Sequence, residues 1–279
     1  MKDITNKKAP KIGLALGSGS ARGMAHIGVI RALQENSIPI SRVCGCSMGA
    51  IIGALYCSGN DLEMFGRVCA QMKTKEFLDI TVPRRGLIKG ERFESLLHMM
   101  TKEKTFDQME PPFACIACDL AKGETVVFDQ GGVATAVRAS ISIPGIFEPK
   151  WINGVLYVDG GTLCPVPITA TRSMGADFVI GVDVGAHKGE PANIDDSIWH
   201  VFLRSLDVMA AVVTKEENEK ADLLIEPPLS DIAQYSTEDI EHCIELGYQE
   251  TIARMADIKN EIEKWSHTHN GTGEIQPGR

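Results

Sequence analysis

Within its first 57 residues the chain passes twice from a short apolar run, through a glycine-rich turn, into a helical run. "KIGLAL" reads as a buried strand ending at Gly17, and residues 21–36 as a helix with Ala25, Val29, Ile30 and Leu33 on its inner side. "SRVCGC" reads as a second strand and Met48–Cys57 as a second helix, closed by "SGN", where Gly59 suits a helix end. Strands that are apolar throughout are buried on both faces, and strands that alternate with helices pair in parallel. Further apolar runs recur in "FACIACDL", "ETVVFD", "VLYVDGG", "DFVIGVDV" and "ADLLIEP", the first two forming a hairpin about Lys122 and Gly123. The expectation is an α/β fold, a mainly parallel central sheet with helices on both faces.

The same pass suggests one domain over residues 11–265, after a flexible leader at 1–10 and before a disordered tail at 266–279. Residues 61–112 are helical and irregular, with Phe93, Leu96, Leu97 and Met100 on one amphipathic face. This segment is a candidate lid, and Phe65, Phe77, Leu78, Phe93 and Leu97 would line its greasy side. Residues 133–140 read as a helix, and residues 237–265 as a closing helix. No internal repeat divides the chain, and no linker rich in Pro, Gly or Ser does.

Composition narrows the function classes. A net charge of −9 argues against a nucleic-acid partner, which calls for a basic face. Lys7 and Lys8 are followed by no apolar stretch long enough for an export signal. The greasiest segment, residues 197–213, contains His200, Arg204 and Asp207 and reads as a buried or interfacial helix, not a span. The cytoplasm is the expected compartment. Arg84, Arg85, Lys89 and Arg92 form a local basic cluster that either meets lipid phosphates, giving peripheral contact at the inner membrane face, or is a solvated face. The eight cysteines sit mostly in apolar contexts, and the lone CxxC of Cys115 and Cys118 lies inside a strand-like run, so buried thiols are the better reading.

Three pieces bear on chemistry. Gly45-Cys46-Ser47-Met48-Gly49 is a G-x-S-x-G match between a strand and a helix, where glycines two residues either side of the serine relieve the crowding of a sharp turn. By itself the match leaves Ser47 open between a nucleophile and a small residue in a Gly-rich bend. "LGSGSARGMAHIG" has Gly17, Gly19 and Gly23 at the wrong spacing for a dinucleotide fingerprint and lacks the Lys-Ser or Lys-Thr of a P-loop. What remains is a turn of backbone amides at a helix start, suited to a developing oxyanion. In "YVDGG", Asp159 ends an apolar strand before Gly160 and Gly161, either as a base within reach of Ser47 or as an ordinary Asp-Gly turn. Of the seven histidines, His267 and His269 fall in the expected tail, and His26 reads as a packed or capping residue of the first helix. The residues therefore favour a Ser–Asp dyad over a serine–histidine pair.

Taken in order, "LGSGSARGMAHIGVIRAL", "GCSMGAIIGALY", "GLIKGERFESLL", "ASISIPGIFEP" and "DGG" resemble the patatin-like phospholipases, in the bacterial branch similar to the catalytic domain of neuropathy target esterase. The resemblance covers roughly residues 11–226. It implies a three-layer α/β/α fold with Ser47 on a nucleophile elbow, Asp159 as its base, and an oxyanion hole from the amides of Gly17, Ser18, Gly19, Ser20 and Ala21. Arg22 matches the family's basic loop residue and would hold the loop, with Gly23, Gly45, Gly49, Gly160 and Gly161 in support. Ser18 and Ser20 interrupt a loop that is often all glycine in the family, and serine tolerates positive φ poorly. The implied activity is hydrolysis of a lipid or other acyl ester through an acyl-enzyme, with no metal or organic cofactor. The alternatives left open are an acyltransferase or thioesterase on the same dyad, or a regulatory protein with vestigial activity.

Overall fold

The computed structural model describes residues 9–71, 86–185, 198–232 and 239–270. The expected Phe77, Leu78, Arg84 and Arg85 of the lid and basic cluster lie outside these residues. Strands are β1 (Ile12–Leu16), β2 (Ile40–Cys46), β3 (Gly86–Ile88), β4 (Phe113–Asp119), β5 (Glu124–Phe128), β6 (Gly145–Phe147), β7 (Lys150–Ile152), β8 (Val155–Asp159), β9 (Phe178–Val182) and β10 (Leu223–Ile225). Helices are α1 (Ala25–Glu35), α2 (Met48–Cys57), α3 (Leu62–Gln71), α4 (Glu91–Met100), α5 (Val133–Ser140), α6 (Ile168–Ser173), α7 (Ile198–Asn218), α8 (Ile240–Ala253) and α9 (Met255–Asn270).

The central sheet has the order β10-β9-β1-β2-β4-β8-β7, with β5 paired to β4 off this path. The β10, β9, β1, β2 and β4 neighbours are parallel; β5, β7 and β8 join antiparallel. Side chains alternate across the sheet as the pleat requires. Leu14, Leu16, Val43 and Cys115 face one core with residues of α1, α2, α5 and α8. Ala15, Cys44, Cys46, Ala114 and Ile116 face the other side, against Ile168, Ala170 and the segment before α6. Both faces are covered over the central strands β9, β1 and β4, which is why these carry no polar alternation.

Register along β4 explains the placement of the site. Cys115 and Ile116 pair with both β2 and β5, so those two strands lie on opposite edges of β4. Ala117 pairs with both β5 and β8, so β8 shares the edge used by β2. The last rung of β2 is Cys46 opposite Ile116, and the last residue of β8 is Asp159 opposite Ala117. Two strands running in opposite directions thus meet end to end along one edge, one residue before Ser47 and at Asp159.

Some expected elements differ in detail. The first helix is preceded by a 310 turn over Ser20–Met24 and begins at Ala25. The closing helix is two helices, broken at Arg254, whose guanidinium reaches the Leu224 carbonyl (3.1 Å) while Met255 turns into the core. α9 continues to Asn270, past the expected start of the tail, because Trp265 packs on the core and stacks with the His269 ring at 4.0 Å. Within residues 61–112, the stretch from Lys89 to Glu94 is bonded to α5 and β7. Glu94 bonds Lys150 (2.5 Å) and Thr135 (3.0 Å), and Arg138 bonds the carbonyls of Lys89 and Gly90. Helix α7 is buried on one side only: Thr214 and Glu217 are buried, while Ile198, Val201, Val208, Met209 and Val212 are exposed on another side. Among the described residues no helix is long and apolar enough to cross a membrane.

Candidate active site

Ser47 directly follows β2 and is the N-cap of α2, with φ 53° and ψ −120°. A side-chain-bearing residue at positive φ is strained, at about 1–3 kcal/mol, and persists only where its surroundings over-determine it. Here the Ser47 carbonyl accepts the amides of Ala50 (2.9 Å) and Ile51 (3.2 Å). The glycines flanking the turn are required by contact: a Cβ at Gly45 would strike the Gly49 carbonyl, and one at Gly49 would strike the Leu16 carbonyl.

The Ser47 hydroxyl donates to Asp159 Oδ2 at 2.7 Å. Asp159 Oδ1 accepts the Gly161 amide at 2.8 Å and lies 3.9 Å from the Cys46 thiol. Both residues are 5% exposed. Burial pushes the Asp159 carboxyl up to about 6, opposed by its bonds from Ser47, Gly161 and Cys46. A carboxyl at that value is mostly ionised at pH 7 yet close to it, and a general base is most effective when its pKa lies near the operating pH.

The Gly-rich loop lies beside this pair. A Cβ at Gly161 would sit 3.0 Å from Ser18 Oγ and 3.1 Å from Asp159 Oδ1. The Gly17 amide donates to the Val182 carbonyl (3.0 Å) and the Ser18 amide to the Pro165 carbonyl (2.8 Å). Those two donors are therefore committed to the fold. The amides of Gly19, Ser20 and Ala21 have no acceptor among the described residues. The strain expected of serine in this loop falls on Ser20 (φ 48°) and not on Ser18.

Arg22 and His26 anchor the loop from beneath. Arg22 donates through Nε to the Ile232 carbonyl at 2.7 Å, and through Nη2 to the same oxygen. His26 is fully buried and donates Nε2–H to the Gly17 carbonyl at 2.8 Å. Burial holds its pKa down to about 4, so the ring is neutral at physiological pH. The imidazole bonds the loop backbone, while the Ser47 hydroxyl bonds Asp159.

All eight cysteines are free thiols. Burial pushes Cys44, Cys46 and Cys115 up, as expected of small apolar core residues. Among the described residues no group of three His, Cys, Asp or Glu side chains is placed to hold a metal.

One feature escaped the sequence. The end of α5 reaches the site: Ser140 Oγ accepts the Ser47 amide (2.9 Å), and the Ser142 carbonyl accepts the Asp159 amide (2.9 Å). Both lie in "ASISIPGIFEP", a block that marks the resemblance without indicating what its serines do.

A two-face-covered α/β sheet bearing a positive-φ serine on a strand–turn–helix elbow, bonded to a buried aspartate, defines the architecture of an elbow-type serine site. The chain belongs to the patatin-like phospholipase family, whose defining pattern matches residues 14–172. It is 34% identical over 191 residues to an uncharacterised NTE family protein of Mycobacterium bovis, covering 68% of this chain and 53% of that one. It is 35% identical over 212 residues to human patatin-like phospholipase domain-containing protein 6, covering 71% of this chain and 15% of that one. The lysophospholipase NTE1 of Phaeosphaeria nodorum is 34% identical over 203 residues, 69% of this chain and 13% of its own length. The chain thus spans about half the length of the mycobacterial relatives and a small part of the eukaryotic ones. The fold is shared with VipD from Legionella pneumophila (TM-score 0.58, 13% identical, 92% of this chain and 67% of that one). It is shared also with human GIVD cytosolic phospholipase A2 (TM-score 0.51, 12% identical, 96% and 60%).

Proposed function

We propose that the protein is a serine lipid acyl hydrolase, of the phospholipase, lysophospholipase or carboxylesterase type, working through a Ser47–Asp159 dyad. The observation that carries this is the 2.7 Å bond from Ser47 Oγ to Asp159 Oδ2 at the strained elbow. Asp159 takes the Ser47 proton as Oγ attacks the ester carbonyl. The amides of Gly19, Ser20 and Ala21 receive the oxyanion of the tetrahedral intermediate. The proton passes from Asp159 to the leaving alcohol, leaving an acyl-Ser47 ester. Asp159 then draws a proton from water, which attacks the acyl group; collapse returns the proton to Ser47 and frees the fatty acid. Preorganised donors of this kind are each worth about a hundredfold or more in rate.

The family supports a lipid ester as substrate, and the name of the fungal relative supports a lysophospholipid as the first to try. Peripheral contact with a lipid surface belongs to the same reading. Its support is the exposed apolar side of α7, a helix that packs against the 310 turn following Asp159. The test is labelling with a long-chain alkyl fluorophosphonate, read by mass spectrometry. The wild-type protein should carry one adduct on Ser47, release fatty acid from lysophosphatidylcholine, and lose both activities in Ser47→Ala. Activity surviving in Ser47→Ala, or folded wild-type protein that takes no label, would overturn the reading.

A further inference from the structure

Buried hydroxyl groups on helices usually have one local solution, donation to the carbonyl four residues back. Ser58, Thr101, Ser142, Thr171, Thr214 and Thr251 all adopt it here, at 2.7–2.9 Å. Ser140 is as buried as any of them and closes α5, yet its bond runs across the molecule to the amide of Ser47 at 2.9 Å. That amide lies one residue past the last rung of β2 and has no backbone acceptor among the described residues. A side chain has taken over the task that a sheet would otherwise perform.

The bond matters because of what it fixes. The Ser47 carbonyl is held by the first turn of α2, and its amide is held by Ser140. Together they pin the peptides on both sides of a residue at φ 53°, and so fix the direction of its Cα–Cβ bond. Two residues on, the Ser142 carbonyl holds the Asp159 amide, so one stretch of backbone is tied to both members of the dyad. That stretch is itself braced. Arg138 donates to Ser142 Oγ (2.7 Å) and to the carbonyls of Gly90 (3.2 Å) and Glu148 (2.9 Å).

We propose that Ser140 is a positioning residue for the nucleophile: its side-chain oxygen holds the Ser47 amide and thereby aims Ser47 Oγ at Asp159. The inference rests on Ser47 being the nucleophile. Misplacing a reacting group by about 1 Å can lower a rate on the order of a hundredfold without altering substrate binding.

The experiment compares wild type, Ser140→Ala, Ser140→Thr and Ser47→Ala. It measures kcat and KM on a p-nitrophenyl ester, the rate of fluorophosphonate labelling, and hydrogen exchange at the Ser47 amide. Ser140→Ala should lower kcat about tenfold to a hundredfold, leave KM within about twofold, slow labelling in step with kcat, and speed exchange at Ser47. Folded Ser140→Thr, which keeps the oxygen, should recover most of the loss. Should Ser140→Ala not fold, Ser140→Cys keeps the volume with a weak acceptor and is read by the same measures. A kcat within about twofold of wild type, unchanged exchange at Ser47, or a folded threonine variant as slow as the alanine one would overturn the proposal. Failure of the underlying reading looks different: Ser47→Ala would stay active while exchange at position 47 still responded to Ser140→Ala.

Discussion

At the scale of single residues, the site holds two buried titratable groups displaced in opposite senses. Asp159 is raised to about 6 from 3.8, so its contribution to stability is fully present below 3.8 and lost as pH rises through about 6. Keeping it ionised at neutral pH therefore costs on the order of 2–3 kcal/mol. Asp159→Asn should abolish ester hydrolysis and yet melt higher than wild type at pH 7–8, the gap closing below about pH 4, as thermal denaturation across that range would reveal. The proposed base acts unprotonated, so kcat/KM should fall about tenfold per pH unit below about 6, and a flat profile from pH 5 to 8 would contradict the proposal. His26 is displaced downward to about 4 from 6.5, so its contribution is present above 6.5 and lost as pH falls through about 4. His26→Ala should slow hydrolysis less than Asp159→Asn, because it loosens the Gly17 carbonyl and leaves the dyad intact. Ser47 and Asp159 were legible in the sequence because each sits in a short motif at a strand end. The division of labour among loop amides was not, since it depends on Val182 and Pro165 carbonyls more than 140 residues away.

At the scale of elements, the closest packing is the crossing of α1 and α8. A Cβ on Gly28 would strike the Ile244 carbonyl, and one on Gly247 the Ala25 carbonyl, so two backbones touch with nothing between them. Gly28→Ala should destabilise by about 2 kcal/mol, overpacking outweighing the better helix propensity. A melting temperature lowered by about 4–8 °C would register this. The exposed side of α7 predicts the contrary. Val212 is 73% exposed, so Val212→Gln should leave stability within about 0.5 kcal/mol; a large drop in melting temperature would mean that this side is covered in solution. Helices and strands with strong periodicity were readable, α2 and α5 to the residue. The short β3, β6, β7 and α6 were not, because three to six residues carry too little pattern and exist through their partners, β3 through β6 and β7 through β8.

At the scale of the whole molecule, β4 is the organising strand. It offers one edge to β5 and divides the other between β2 and β8, so the meeting of Ser47 with Asp159 is a property of sheet register and not of any local segment. The mainly parallel, helix-covered sheet was readable from continuous apolar strands alternating with helices. The head-on meeting of β2 and β8 was beyond reach, because strand order and register follow from pairing across the whole chain. That meeting also sets a time. Ser47 and Asp159 are 112 residues apart, and contacts so distant in sequence form only after costly loop closure. The serine's reactivity is then a clock for the end of folding. In refolding from denaturant, fluorophosphonate reactivity should return later than helical circular dichroism and together with the last-forming part of the sheet. A chain stalled with β2 paired and β8 not yet docked would look largely folded and remain chemically silent.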